Sequence, residues 1–225
     1  NLLTARVYEQ RLGQVPSVAS VQSMPTGNYR RTIFSYDGLN RMTQSRVKSN
    51  NGQGPDITSG TLVGSSWNSS TADLITNYTY DSFGNVIKVN DAAGNNTFSY
   101  YDLLGRKIAQ LDGDRYLTEW TYDAESNVLS ELRSATRVAG AVSTAEIPSV
   151  AADNVNDRLT TYAYDKVGNR LSESRHNVII HTGNGGQELV TATISYSYNG
   201  LGQVTTKTEA YSETHSFTTD FSYDV

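Results

Sequence analysis

Cysteine is absent from the 225-residue chain, which excludes disulfides, thiolate nucleophiles and cysteine-based zinc sites. Proline is scarce at four residues, histidine at three and methionine at two. No stretch approaches the roughly eighteen consecutive apolar residues of a membrane-crossing helix. Positive charge is also in deficit, since 18 Lys and Arg against 23 Asp and Glu leave a formal net charge of −5. Nucleic acid is therefore excluded as a partner, because phosphate recognition needs a positive field that displaces counterions. The start lacks the basic and apolar pattern of a signal peptide. It opens at Asn1, and Tyr223-Asp224-Val225 stops within a motif, so the chain is expected to be a piece of a larger protein.

What is present points to strands. Hydrophobic residues make up 37% of the chain and charged residues 18%, enough for a folded core and too apolar for disorder. The length suits one large all-β domain or two smaller ones. Fifteen tyrosines stand against five phenylalanines and two tryptophans, among abundant Thr, Ser, Asn and Gly. That mixture favours strands and turns, and long Ala/Leu/Glu/Lys windows are missing.

An internal repeat decides the organisation. Its pattern is Tyr78-Thr-Tyr80-Asp81-Ser-Phe-Gly84-Asn85-Val86. Further copies are Tyr101-Asp102-Leu-Leu-Gly105-Arg106, Trp120-Thr-Tyr122-Asp123-Ala-Glu-Ser126-Asn127, Tyr162-Ala-Tyr164-Asp165-Lys-Val-Gly168-Asn169 and Tyr196-Ser-Tyr198-Asn199-Gly-Leu-Gly202-Gln203. Phe34-Ser-Tyr36-Asp37-Gly-Leu-Asn40 is a weaker first copy, and Phe221-Ser-Tyr223-Asp224 a truncated last one. Tyr80, Tyr101 and Tyr122 are 21 residues apart, and Tyr164 follows at twice that interval. A finer beat runs through Asp81, Asp91, Asp102, Asp112 and Asp123 at steps of 10, 11, 10 and 11. Asp91-Ala-Ala-Gly94-Asn95 is thus a second turn of the same kind, and each repeat of about 21 residues holds two strands and two turns.

Each position has a physical role. Residues two apart on a strand share a face, so Tyr78 and Tyr80, Tyr162 and Tyr164, and Tyr196 and Tyr198 point the same way. Asp at the strand end accepts hydrogen bonds from backbone N–H groups further on and starts an Asx-type turn. Gly at the third place after it supplies the positive φ that closes a short hairpin. Asn40 tolerates that conformation, whereas Ser126 is a poorer substitute and predicts a different local turn. An apolar residue (Val86, Ile108, Val128, Leu171 or Val204) is expected to open the return strand. The reading is an all-β, repetitive antiparallel hairpin strip, with tyrosines and aliphatics on one face and Thr, Ser, Lys and Asn on the other.

Residues 1–29 read as an N-terminal segment with an irregular repeat, and 30–225 as the repeats proper. Insertions near 48–76, 134–158 and 181–187 break the rhythm and are expected as loops or extended hairpins at one edge of the strip. Residues 140–153 are expected to include a short helix.

Motifs such as Tyr80-Asp81-Ser-Phe-Gly84-Asn85 resemble the Rhs/YD-repeat family, which includes bacterial Rhs proteins, insecticidal toxin-complex B and C components, and the animal teneurins. The resemblance covers about residues 30–225. It implies a hollow β-shell and, in bacterial members, a C-terminal toxin or effector enclosed within it. The implied partners are the remainder of the shell, that cargo and a delivery-machine component. The implied location is secreted or cell-surface. Bacterial members carry an Asp-Pro-x-Gly-type self-cleavage motif, and this sequence has no Asp-Pro dipeptide, so the resemblance extends to the wall and not to the protease.

No other motif rises to a catalytic or cofactor site, and the chain is read as a structural protein without enzymatic activity or cofactor. His176 and His181 are placed across a hairpin and, with His215, read as polar surface residues. Gly183-Asn184-Gly185-Gly186 lacks the Lys-Ser/Thr of a phosphate loop. Asp112-Gly113-Asp114 falls on the half-repeat beat and lacks the rest of a calcium loop. Carboxylate pairs for glycoside hydrolysis are a matter of space, and no Asp is singled out. Asn68, Asn77 and Asn95 head glycosylation sequons. The alternative function is an adhesion or glycan-binding module, with sugars stacking on exposed tyrosines.

Overall fold

The structure, a computed structural model, describes residues 4–8, 29–48, 73–181, 185–212 and 215–224. The chain forms two compact units, Asn1–Asn96 and Thr97–Val225. The first holds β1 (Thr4–Tyr8), β2 (Tyr29–Tyr36), β3 (Met42–Lys48), β4 (Leu74–Tyr80) and β5 (Val86–Asn90). The second holds β6 (Asn96–Tyr101, entering from the last residue of the first unit), β7 (Lys107–Leu111), β8 (Tyr116–Tyr122), β9 (Val128–Arg137), β10 (Arg158–Tyr164), β11 (Arg170–His181), β12 (Gln187–Tyr198), β13 (Val204–Ser212) and β14 (His215–Asp220). No helix occurs among the described residues.

Within each unit every strand pairs antiparallel with its neighbours in the chain, and no connection crosses over. This is the predicted hairpin strip. Where short turns join successive strands they force it, since a tight turn can only return the chain alongside the strand it has just left.

One irregularity recurs with the repeat. In β4–β5, Tyr80 pairs with Val86 but Thr79 pairs with Lys88, so Ile87 is an extra residue on the return strand. The same one-residue bulge follows Tyr36, Tyr101, Tyr122, Tyr164 and Tyr198. A bulge lets the turn close with its side chains re-aimed while the remaining ladder keeps register. It also corrects one expectation. The return strands open at Val86, Val128 and Val204, but Ile108 and Leu171 are the bulge residues, behind Lys107 and Arg170.

Burial peaks in the second unit. Tyr100, Ala109, Leu111, Leu117 and Val138 form a core, with Phe98, Ile108, Val142 and Val150 packed against it. Tyr100 pairs with Ala109, Phe98 with Leu111, and Leu111 with Leu117, so these side chains share one face. Tyr101 and Tyr122 fall on the other face by alternation. The aliphatic core therefore lies opposite the motif tyrosines, not beside them as expected.

The insertion between β9 and β10 explains the reversal. Residues 138–157 form an irregular segment laid against that face, not the expected helix in 140–153 and not an edge loop. Arg115 Nε donates to Val138 O at 2.7 Å, and Tyr100 Oη donates to Ser143 O at 2.8 Å. At the far end the buried Asp157 accepts from Ala135 N–H at 2.7 Å and from Asp153 N–H at 2.8 Å. Side chains and fixed acceptors thus replace the hydrogen bonds that a helix would have satisfied internally.

The other two insertions are less fully described. Residues 49–72, with the Asn68 sequon, and 182–184 lie outside the described residues, as do 9–28 of the N-terminal segment. The strands on either side of the third insertion, each twelve residues long, pair as far as His181 with Gln187. His176 and His181 both lie on β11, not across that hairpin.

Leu117 is 2% exposed and Leu103 is 96% exposed. Leu117→Ala is expected to cost about 2–5 kcal/mol through lost burial and a residual cavity. Leu103→Ser is expected to stay within about 0.5 kcal/mol. Urea unfolding of both variants checks the pair.

Candidate functional site

The repeated turns and the tyrosines beside them form the most regular chemical feature of the molecule. At Asp81 the backbone closes twice, with Asp81 N–H donating to Asn85 O at 3.0 Å and Gly84 N–H to Asp81 O at 3.3 Å. Asp81 Oδ1 accepts from Phe83 N–H at 2.9 Å and Asn85 N–H at 2.8 Å, while Oδ2 accepts from Asn85 Nδ2 at 2.9 Å. The same five bonds recur at Asp91 and Asp165. At Asp37 and Asp102 the side-chain donor is Arg41 Nε or Arg106 Nε, each at 2.7 Å. Asn199 makes the turn with a neutral amide, its Oδ1 accepting from Leu201 N–H and Gln203 N–H.

Gly84, Gly94, Gly105, Gly168 and Gly202 take positive φ at the third place after the Asp or Asn. Ser126, at φ 71°, occupies the same slot in the same hydrogen-bonded turn, so it does not mark a different one. Its hydroxyl-bearing side chain accepts the strain because the Asp123 bonds over-determine the loop. At the half-repeat beat the slot falls on Arg115 (φ 72°), whose guanidinium holds the insertion at Val138 O and Gly140 O.

The turn carboxyls are held below the ordinary aspartate range. At Asp91, Asp123 and Asp165 the side-chain amide of Asn95, Asn127 or Asn169 is the largest influence. At Asp37 it is the Arg41 backbone N–H. At Asp81 and Asp102 desolvation pulls upward but is outweighed by the bonds from Asn85 and Arg106.

Neighbouring hairpins are then tied by tyrosine. The second motif tyrosine donates its hydroxyl to the carbonyl that opens the preceding return strand: Tyr80 to Met42 O at 2.8 Å, Tyr122 to Lys107 O at 2.7 Å, Tyr198 to Arg170 O at 2.7 Å, and Tyr223 to Val204 O at 2.8 Å. Burial raises the pKa of Tyr80, Tyr122 and Tyr198, with Arg41, Arg106 and Arg170 acting in the opposite sense. Tyr164 occupies the equivalent place, yet its hydroxyl makes no hydrogen bond among the described residues.

Arginine supplies a further tie that sequence reasoning missed. Arg41 lies 4.8 Å over the Tyr80 ring and donates Nη1 to Asp81 O at 2.9 Å. Arg106 repeats this over Tyr122, at 4.8 Å, and donates to Asp123 O at 2.9 Å. Each guanidinium therefore holds its own turn aspartate and the next turn's carbonyl together. The signal was in the sequence, since the fourth place after the turn residue is Arg41, Asn85, Asn95, Arg106, Asn127, Asn169 or Gln203.

The first motif tyrosines are less uniform. Tyr162 and Tyr196 flank Arg170, at 6.0 and 5.5 Å from its guanidinium. Arg170 also bridges at 2.9 Å to Glu173, which is nearly buried and bonded to Arg175. Tyr78 lies on β4 opposite Val89, and Tyr36 ends β2 opposite Met42. Asp224 is exposed beyond β14, and the last copy places its tyrosine hydroxyl on Val204 O. His176 sits between Thr161 Oγ1 and Thr191 Oγ1 at 3.1 and 3.3 Å.

No protein-family profile matches the chain, and no curated protein matches it. Solved structures do. The crystal structure of TcdB2-TccC3-Cdc42 is similar at 14% identity and a TM-score of 0.31, over 85% of this chain and 12% of that one. The Photorhabdus luminescens Tc holotoxin pore with mutated TccC3 gives the same values. TcdB2-TccC3 without its hypervariable C-terminal region matches at 13% identity. The chain thus spans only 12% of the length of the solved chains it matches.

Two predictions follow from the ties. Tyr122→Phe strands the Lys107 carbonyl and is expected to cost about 1 kcal/mol, whereas Tyr164→Phe has no such bond to lose and stays near zero. Thermal unfolding of both separates them. Because the turn aspartates have depressed folded pKa values, their stabilisation is complete above about pH 4 and is lost as pH falls through the lower folded values. Asp91→Asn copies the neutral Asn199 turn and is expected to flatten the decline of stability with acid, read from urea midpoints across that range.

Proposed function

We propose that this chain is a wall segment of an Rhs/YD-repeat shell that encloses a C-terminal toxin or effector. The observation that carries the reading is the repeated tie, in which one Asp-led turn recurs and tyrosine hydroxyls clip successive hairpins to one another. Such ties stiffen a sheet at its turn ends, where ladder bonds have already stopped. In β7–β8, β9–β10 and β11–β12 the last ladder pair stands three residues before the motif tyrosine. A wall needs that stiffness along its length and needs no concentrated reactive centre.

The wall would work by exclusion. It separates the cargo from the producing cell by excluded volume and shielding. Its partners in this reading are the rest of the shell, the cargo and a delivery-machine component, in a secreted or cell-surface setting. The alternative, a glycan-binding module, draws less support. Guanidinium groups cover the Tyr80 and Tyr122 rings, on which a sugar would have to stack.

The test is an in-frame deletion of these repeats from the full-length parent gene, with growth of the producing cells as the readout. The expected result is growth inhibition when the repeats are gone and none when they are present. A downstream tail equally harmless in both strains would overturn the proposal.

A further inference from the structure

The junction between the Asp123 turn and the Asp165 turn departs from its counterparts in three ways at once. The fourth place carries Asn127, whose amide reaches Asp123 Oδ2 at 2.8 Å and goes no further, where Arg41 and Arg106 cross to the next turn. The Tyr164 ring has no guanidinium over it and its hydroxyl makes no bond among the described residues. The second place after the turn residue is exposed Leu39, Phe83, Leu104, Val167 or Leu201 in the other tyrosine-led turns, but Glu125 here.

Ladder pairing does not explain the difference. In β3–β4 and β7–β8, as in β9–β10, the last pair lies three residues before the motif tyrosine. The strands therefore part at the same place in all three junctions, and the wedge that opens is filled by arginine in two of them. In the third it remains as a groove of about 580 Å³ lined by Asp123, Glu125, Asn127, Tyr164, Asp165 and Lys166. The next junction, also without arginine at the fourth place, is closed: Tyr198 bonds Arg170 O, and Asn169 Oδ1 comes within 3.9 Å of where a Gly202 Cβ would stand.

We propose that this groove binds an arginine side chain presented by a peptide segment from outside β8–β11, in the place that Arg41 and Arg106 fill elsewhere. The acceptor is the Asp165 carbonyl, whose counterparts at Asp81 and Asp123 each take a guanidinium Nη1 at 2.9 Å. The platform is the Tyr164 ring, whose counterparts hold a guanidinium 4.8 Å from the centroid. Glu125 adds a carboxylate that the self-filled junctions do not need, and a planar fork suits carboxylate, carbonyl and ring together better than an ammonium does. Lys166 is the cation on the rim; it makes no ion pair among the described residues and is exposed, so it sets a modest repulsion without filling the site. The inference stands on the groove and does not depend on the shell reading.

The full chain, isotope-labelled, is titrated with the blocked tripeptide acetyl-Gly-Arg-Gly-amide, and amide shifts are followed by NMR. Shifts centred on Tyr164, Asp165 and Lys166 are expected, with binding about tenfold weaker for the lysine and citrulline versions. Asn127→Arg should fill the groove from within, abolish those shifts and raise the unfolding temperature. Its chemistry is already precedented, because Arg41 and Arg106 keep their own turn aspartates through Nε at 2.7 Å. Glu125→Gln should weaken binding severalfold and leave the fold intact. No localised shifts with the arginine peptide, equal shifts with lysine or citrulline, or undiminished binding by Asn127→Arg would each overturn the assignment.

Discussion

A single carboxylate that accepts hydrogen bonds from the chain two and four residues ahead is the constraint on which the rest depends. With Oδ1 on two backbone N–H groups and Oδ2 on a side chain, the turn has almost no freedom left. Its closure sets the bulge, and the residue just ahead of the bulge offers the carbonyl that the next tyrosine reaches. The charge matters less than the acceptor, since Asn199 builds the same loop without it.

The second level is the wedge that opens where ladder bonds stop. Pairing with the preceding hairpin ends three residues short of Tyr80, Tyr122 and Tyr198, and the molecule closes the gap with long side chains. Tyrosine is suited to this because its ring packs while its hydroxyl reaches a carbonyl. Arginine is suited because one planar group can hold an aspartate, a distant carbonyl and a ring face at once. The arrangement is modular, so the junction that follows Asn127 stays open without disturbing its neighbours.

The core follows a different logic from the repeat. A strip of hairpins offers two faces, and the motif residues stitch one of them through polar ties. The other face becomes dry only where residues 138–157 lie over Tyr100, Ala109, Leu111 and Leu117. That insertion is held by carboxylate and guanidinium bonds at its ends, from Asp157 and Arg115, and contributes Val138, Val142 and Val150 between them.

Local chemistry was legible in the sequence because it acts over two to five residues. The Asp-to-Gly spacing specifies the turn, and the 10 and 11 residue beat leaves connections too short to reach any strand but the adjacent one. The strip and its antiparallel order follow from those two facts. Tertiary structure decided what depends on residues brought together from different hairpins. It put the aliphatic core opposite the tyrosines, because a pleated face is dry only where another segment covers it and nothing local says where 138–157 will lie. It kept Ser126 in an ordinary turn, because the surrounding bonds outweigh its conformational preference. It also gave the fourth-place residue its importance, because only a side chain the length of arginine spans from one turn to the next.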